Sequence, residues 1–221
     1  MDTRLQHPFT CILAGPSNCG KSWFVRKLLE NARSVLSHQP SNIVWIYSCW
    51  QPLYGQLQTR FKHLRFVEGL PESLNDDALL PPSEVNLLIV DDLMCEGGQS
   101  GELEKAFTQY SHHRNLSICY IVQNVFNKGK SNRSISLNAS YIVLFKNPRD
   151  KQQLSVIARQ MYPTKTRFFM EAYDDAVGKP YGYLLIDLKT TTTEEYRLRT
   201  GIFPPDLPVV YIPKKPSKNQ H

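Results

Sequence analysis

What this 221-residue chain lacks narrows its class before any motif is read. No stretch approaches the roughly 18 consecutive apolar residues of a membrane span, so no membrane association is expected. The opening Met1-Asp2-Thr3-Arg4-Leu5-Gln6-His7-Pro8 has no apolar core of the kind a secretory signal needs, and export is not expected. Five cysteines (Cys11, Cys19, Cys49, Cys95, Cys119) form no CxxC pair and no metal-ligand spacing with the six histidines. An odd count without a framework predicts reduced thiols in an intracellular compartment and no structural zinc. With 41% hydrophobic and 21% charged residues, the composition excludes a mainly disordered chain, a collagen-like repeat and a coiled-coil rod. The length fits one domain. The expected organisation is a single domain over residues 1–203, followed by a Pro- and Lys-rich tail over 204–221 that is extended or loosely held.

Positive charge is also missing where negative charge is dense. From Glu68 to Glu104 there are ten acidic residues and no Lys or Arg. From Val125 to Met170 the balance inverts, with Lys128, Lys130, Arg133, Lys146, Arg149, Lys151, Arg159, Lys165 and Arg167 set against Asp150 alone. That local excess of eight exceeds the +6 of the whole chain and points to a polyanionic partner, of which nucleic acid is the commonest.

What is there alternates between short apolar runs and helical patterns. Strands are predicted at Phe9–Ala14, Ile43–Tyr47, Leu64–Val67, Leu87–Val90, Ser117–Val122, Tyr141–Phe145 and Tyr183–Leu188, the last on a sheet edge. Helices are predicted at Lys21–Ala32, Leu53–Phe61, Glu102–His113 and Asp150–Met161, and Gly69–Glu84 reads as a surface connection. The expected fold is α/β: a mostly parallel central sheet with helices on both faces.

Between the first strand and the first helix lies Gly15-Pro16-Ser17-Asn18-Cys19-Gly20-Lys21-Ser22, which matches G-x-x-x-x-G-K-[ST]. The glycines let successive backbone N–H groups turn inward toward phosphate oxygens, and the following helix adds its positive end. Lys21 reaches the β- and γ-phosphates and the Ser22 hydroxyl is a ligand for Mg²⁺. These eight residues therefore predict binding of a nucleoside triphosphate with its magnesium ion; the loop reads phosphates alone and does not name the base.

The second half of such a site belongs at the end of another central strand, where Asp91 and Asp92 follow Leu87–Val90. Unpaired carboxylates are costly to bury, and at the carboxyl edge of a parallel sheet they face the same crevice as the phosphate loop. Asp91 is expected to hold Mg²⁺ through water together with Ser22, and Asp92 to orient or deprotonate the attacking water, with Glu96 as an alternative base. Gln123-Asn124 closes the strand Ile118–Val122. Gln123 is expected to sense the γ-phosphate if that strand lies between the phosphate-loop strand and the metal-aspartate strand. An arginine acting on a neighbouring subunit's nucleotide is expected at Arg114 or at Arg133.

Taken together, GPSNCGKS, NLLIVDDLM, SHHRNLSICYIVQN and SISLNASYIVLFKNPRDKQQLSVIARQMYP resemble the viral genome-packaging ATPases of the FtsK–HerA class, in their poxvirus-type form known from Maverick/Polinton elements and adintoviruses. The resemblance runs from about Phe9 to Pro163. It implies an additional-strand P-loop NTPase core of RecA-like type, assembly into a homo-oligomeric ring (pentamer or hexamer), and ATP-driven movement of double-stranded DNA into a preformed capsid through its portal vertex. By position it supports Lys21, Ser22, Asp91 and Asp92, Gln123 as the polar residue of the fourth strand, and Arg114 as the arginine finger. It implies DNA-contacting residues in the loop after that strand, for which Lys128, Lys130 and Arg133 are the candidates. It also implies action inside a host cell, in the nucleus or at a cytoplasmic assembly site, with transient association with the virion. Competing readings of the same phosphate loop are a nucleoside or nucleotide kinase, a DNA-dependent ATPase outside packaging, and a non-enzymatic nucleotide-dependent scaffold.

Overall fold

Runs rich in Val, Ile and Leu become strands covered on both faces, and the amphipathic stretches between them become the covering helices. The computed structural model describes residues 2–91, 98–126 and 130–214. In chain order the elements are β1 (Thr10–Ala14), α1 (Lys21–Glu30), α2 (Ala32–Val35), β2 (Asn42–Tyr47), α3 (Pro52–Arg60), β3 (Leu64–Glu68), β4 (Asn86–Asp91) and α4 (Gly98–Lys105). The α4 helix runs through a π-helical turn (Ala106–Tyr110) into α5 (Ser111–His113). There follow β5 (Leu116–Val122), α6 (Lys130–Leu137), β6 (Tyr141–Phe145), α7 (Gln152–Met161), α8 (Thr166–Ala176), β7 (Tyr183–Asp187), β8 (Leu198–Thr200) and β9 (Val209–Val210).

All nine strands join one sheet in the order β3-β2-β4-β5-β1-β6-β7-β8-β9. The first six in that order are parallel, and β7, β8 and β9 extend the sheet antiparallel beyond β6. The expected intervening strand is present: β5 lies between β1 and β4, with Ala14 level with Val122 and Asp91 level with Ile121.

Alternation along each strand sorts its residues between two cores. Ile12, Val44, Leu88, Val90, Ile118 and Ile142 face Leu103, Phe107, Ile135, Leu154, Ile157 and Phe169 of the helices on one side. Leu13, Trp45, Leu87, Ile89, Cys119 and Ile121 face Phe24, Val25 and Leu28 of α1 and Tyr54 and Leu57 of α3 on the other. Asp91 follows Leu87 and Ile89 at a spacing of two, so it belongs to the α1–α3 face.

Three expectations need correction. Gly69–Glu84 is not merely a surface connection, because Leu70, Leu74 and Leu80 are buried in the sheet's first core. The strand β7 is interior rather than an edge, since β8 and β9 cover its outer side. Two helices, α6 and α8, occupy stretches for which no element was expected. Beyond residue 203 the chain first turns, the Asp206 amide donating to the Phe203 carbonyl at 3.0 Å, and is then held as far as Tyr211: β9 pairs with β8, and the Tyr211 hydroxyl donates to Asp175 Oδ2 at 2.7 Å. Among the described residues, Cys11, Cys19, Cys49 and Cys119 are free thiols.

A buried ion pair fixes the antiparallel flank. Arg199 of β8 donates from Nη2 to Asp187 Oδ2 of β7 at 2.9 Å and from Nη1 to the Thr3 carbonyl at 2.8 Å, with the two side chains 2% and 5% exposed.

Candidate nucleotide site

The loop after β1 is shaped by steric necessity at two glycines. A Cβ on Gly15 would lie 2.7 Å from Cys19 Sγ and 2.8 Å from Phe145 Cβ, so a side chain there would drive the loop off β6. Gly20 has φ +112°, a left-handed backbone that L side chains rarely adopt, and it turns the chain directly into α1. The helix begins with no side-chain cap and no acidic residue in its first turn, so its leading amides and the positive end of its dipole are left to whatever occupies the loop. Lys21 Nζ lies back across the loop, donating to the carbonyls of Gly15 at 2.6 Å and Pro16 at 2.8 Å. Burial pushes the Cys19 thiol above its ordinary value, partly opposed by the Lys21 charge, which keeps this loop cysteine a poor nucleophile.

Asp91 ends β4 at the same edge of the sheet, 4% exposed. Its Oδ2 accepts the Ser22 hydroxyl at 3.4 Å and the Tyr54 hydroxyl at 2.8 Å. The α1–α3 face thus brings together the last residue of the phosphate-loop motif, the predicted metal carboxylate and a tyrosine that sequence reasoning missed. Leu53, Tyr54 and Leu57 mark α3 as amphipathic, and a buried tyrosine needs a partner for its hydroxyl, but nothing in the sequence named Asp91 as that partner. Tyr54 itself is 1% exposed, stacked on Phe66 and tilted against Trp45.

A cleft of about 430 Å³ opens above these groups, lined by Ser17, Asn18, Lys21, Ser22, Gln51 and Asp91 among others. A hydroxyl and a carboxylate side by side are hard oxygen donors of the kind Mg²⁺ takes, and Mg²⁺ commonly uses only one or two carboxylates beside phosphate and water.

The remaining predicted residues divide. Gln123 is exposed directly after β5, one residue beyond the level of Ala14, and so stands at the sheet edge between the loop and Asp91. The loop behind it is clamped by Gln153 of α7, which accepts from the Val125 amide at 2.9 Å and donates to Asn124 Oδ1 at 3.0 Å. Asp92, Glu96 and Lys128 lie outside the described residues, as does the side chain of Lys130. Arg133 is exposed on α6.

Arg114 does not join the cluster. It precedes β5, at the sheet edge opposite the phosphate loop, and is 9% exposed. Its guanidinium donates to Asn75 Oδ1 at 2.6 Å, Asp77 Oδ1 at 2.8 Å and the Leu80 carbonyl at 3.0 Å. Within its own chain Arg114 therefore fastens the acidic Gly69–Glu84 segment onto the sheet, helped by Asn86, whose amide donates to the carbonyls of Pro81, Glu84 and Arg114.

The basic stretch forms an exposed surface. Arg133, Lys146, Arg149, Lys151, Arg159, Lys165 and Arg167 are all exposed, and Lys146 with Pro148 borders the phosphate loop from the β6 side.

No protein-family model matches the chain, nor does any curated protein sequence. Solved structures do. The genome packaging NTPase B204 from Sulfolobus turreted icosahedral virus 2, in complex with ATP-gammaS, aligns over 94% of this chain and 98% of its own, with TM-score 0.56 and 14% identity. The cytoplasmic domain of the Thermomonospora curvata Type VII secretion ATPase EccC aligns over 86% of this chain and 23% of its own, with TM-score 0.49 and 13% identity. The cytoplasmic domain of EssC aligns over 96% and 41%, with TM-score 0.46 and 9% identity. The chain has the fold of a P-loop NTPase in its additional-strand form, as expected from its motifs.

Proposed function

We propose that this chain is an ATP-hydrolysing motor that moves double-stranded viral DNA into a preformed capsid. The observation that carries the reading is the meeting of Ser22 and Asp91, 3.4 Å apart at one sheet edge, with β5 and Gln123 between β1, which leads into the phosphate loop, and β4, which ends at Asp91. The end-to-end likeness to a viral genome packaging NTPase supports it, and so does the exposed cationic surface.

In this reading the Gly15–Ser22 amides and Lys21 bind the β- and γ-phosphates of ATP, and Ser22 and Asp91 hold the accompanying Mg²⁺. Held there by Ser22 and Asp91, such an ion would supply positive charge against the charge developing on the β- and γ-phosphates. Asp92 orients and deprotonates the attacking water, Gln123 positions it beside the γ-phosphate, and Tyr54 keeps the Asp91 carboxylate aimed at the loop. An arginine from the next subunit of a pentameric or hexameric ring stabilises the transferring phosphoryl group. If that arginine is Arg114, ring assembly must exchange its contact with the exposed Asp77 for the neighbour's nucleotide, whereas Arg133 is already exposed. Lys128, Lys130 and Arg133 contact the DNA backbone without reading sequence, as translocation requires. The capsid or its portal vertex is the docking partner, within an infected cell's nucleus or a cytoplasmic assembly site.

The test is ATP hydrolysis by the purified chain with and without long duplex DNA across a salt series. DNA should raise the rate, the stimulation should fall with added salt, and phosphate rather than a phosphorylated acceptor should be released. Lys21→Ala should remove the activity. A rate indifferent to DNA at every salt concentration, or a phosphorylated nucleoside as product, would exclude the motor. Tyr54→Phe removes the hydroxyl and keeps the buried ring, so the fold should hold. Loss of such a supporting hydrogen bond typically costs about 10–100-fold in metal affinity or activity, which a Mg²⁺ titration of the rate will read.

A further inference from the structure

The turn between α8 and β7 comes to rest against the phosphate loop. Gly182 closes it, where a Cβ would sit 2.5 Å from the Ala176 carbonyl oxygen. Tyr181, just before, is held at φ 58°, a left-handed conformation that a bulky residue adopts rarely. Its side chain is nevertheless 63% exposed, and its Cβ and Cδ1 stand 3.2 and 3.1 Å from the place a Cβ on Gly20 would take. An unusual backbone thus presents an aromatic ring to solvent at the mouth of the phosphate loop, where burial gives no account of it.

Two cavities meet at that ring. One is the 430 Å³ cleft over Lys21, Ser22 and Asp91. The other, about 530 Å³, runs beside α1 and is lined by Lys27, Lys179, Phe203 and Tyr211 among others. Gly20, Trp23 and Tyr181 line both, so the two cavities adjoin at these residues. Trp23 is 43% exposed, with the Arg26 guanidinium 4.7 Å from its ring centroid. Exposed aromatic faces beside a phosphate cradle are what a nucleobase stacks on, because every base has a π-face.

We propose that Tyr181 is the base-stacking residue of a nucleoside subsite, with the ribose and base of the bound nucleoside triphosphate lodged in the 530 Å³ cavity. The proposal rests on the triphosphate reading of Gly15–Ser22 and adds to it a second point of recognition on the α8–β7 turn. It also gives the α8–β7 region, for which the sequence offered no role, a part in the site.

Calorimetric titration of the full chain with ATPγS and with inorganic tripolyphosphate, each with Mg²⁺, tests it. The chain should bind ATPγS more tightly than tripolyphosphate. Tyr181→Ala, which carries the same backbone conformation without the ring, should weaken ATPγS by about tenfold or more, given the usual contribution of one stacked base. Tripolyphosphate affinity and the thermal midpoint should stay unchanged, and Tyr181→Phe should bind ATPγS as the parent does. Equal affinity of the parent for both ligands, equal loss of both in Tyr181→Ala, or no loss of either overturns the subsite. Lys21→Ala separates the two layers. If it abolishes binding of both ligands while Tyr181→Ala changes nothing, the phosphate cradle stands and the subsite falls. If it leaves both bound, the underlying triphosphate reading fails as well.

Discussion

Asp91→Asn is expected to lower ATP hydrolysis by about a thousandfold or more while leaving the fold intact. In the proposed site the carboxylate would contribute its charge to holding the divalent cation, and that cation would supply several kcal/mol of transition-state stabilisation, each roughly 1.4 kcal/mol being a factor of ten in rate. Asparagine has nearly the same shape and retains an oxygen that can accept from Ser22 and Tyr54, so the local hydrogen bonds survive. What disappears is the negative charge of a residue that is 4% exposed, while its hydrogen-bonding shape is kept. A denaturation midpoint close to the parent's is therefore the expected companion of the lost rate. Paired measurements of hydrolysis and urea unfolding check both halves. Unchanged hydrolysis in a folded Asp91→Asn variant would remove Asp91 from the site, and with it the reading of the β4 end as the metal side of the cleft.

The second large effect lies far from the cleft. Arg199→Met leaves Asp187 charged and buried on β7 with its cationic partner gone, and breaking a buried pair from one side typically costs about 3–5 kcal/mol. The Thr3 carbonyl loses its Arg199 donor at the same time. Replacing both partners, as in Arg199→Met with Asp187→Leu, removes the stranded charge and should recover most of the loss. Urea unfolding of the two single variants and the double variant gives the coupling. Additive losses would mean that the pair is not the source of the stability of β7 and β8.

Most of the site-bearing half was legible because local pattern and tertiary demand agree there. Phe9–Ala14 reads as a strand, GPSNCGKS as a loop and Phe24, Val25, Leu28 and Leu29 as a helix face, and all three hold. Leu87–Val90 is apolar on both faces, which only a central parallel strand requires, and Asp91 at its end then has one place to go. Failures came where the deciding contact was remote. In Gly69–Glu84 the prolines and acids looked like surface, yet three leucines spaced without period are buried and Arg114, distant in sequence, ties the segment down. Gly178 and Gly182 punctuate a turn, but nothing in the chain announces that Tyr181 between them meets Gly20, some 160 residues earlier. Tyr183–Leu188 seemed to be an edge because β8 and β9, three and two residues long, are too short to register as periodic.

The placement of β5 has one more consequence. Adjacent strands lie about 4.8 Å apart, so the ends of β1 and β4, separated by a single intervening strand, are spaced at about 10 Å by main-chain ladders alone. The gauge of the cleft is thereby set by peptide geometry, which every residue type except proline supplies. Helical coverings can drift in composition without changing that calibre, and this is how a chain and a viral NTPase with 14% identity retain a common scaffold across nearly their whole lengths.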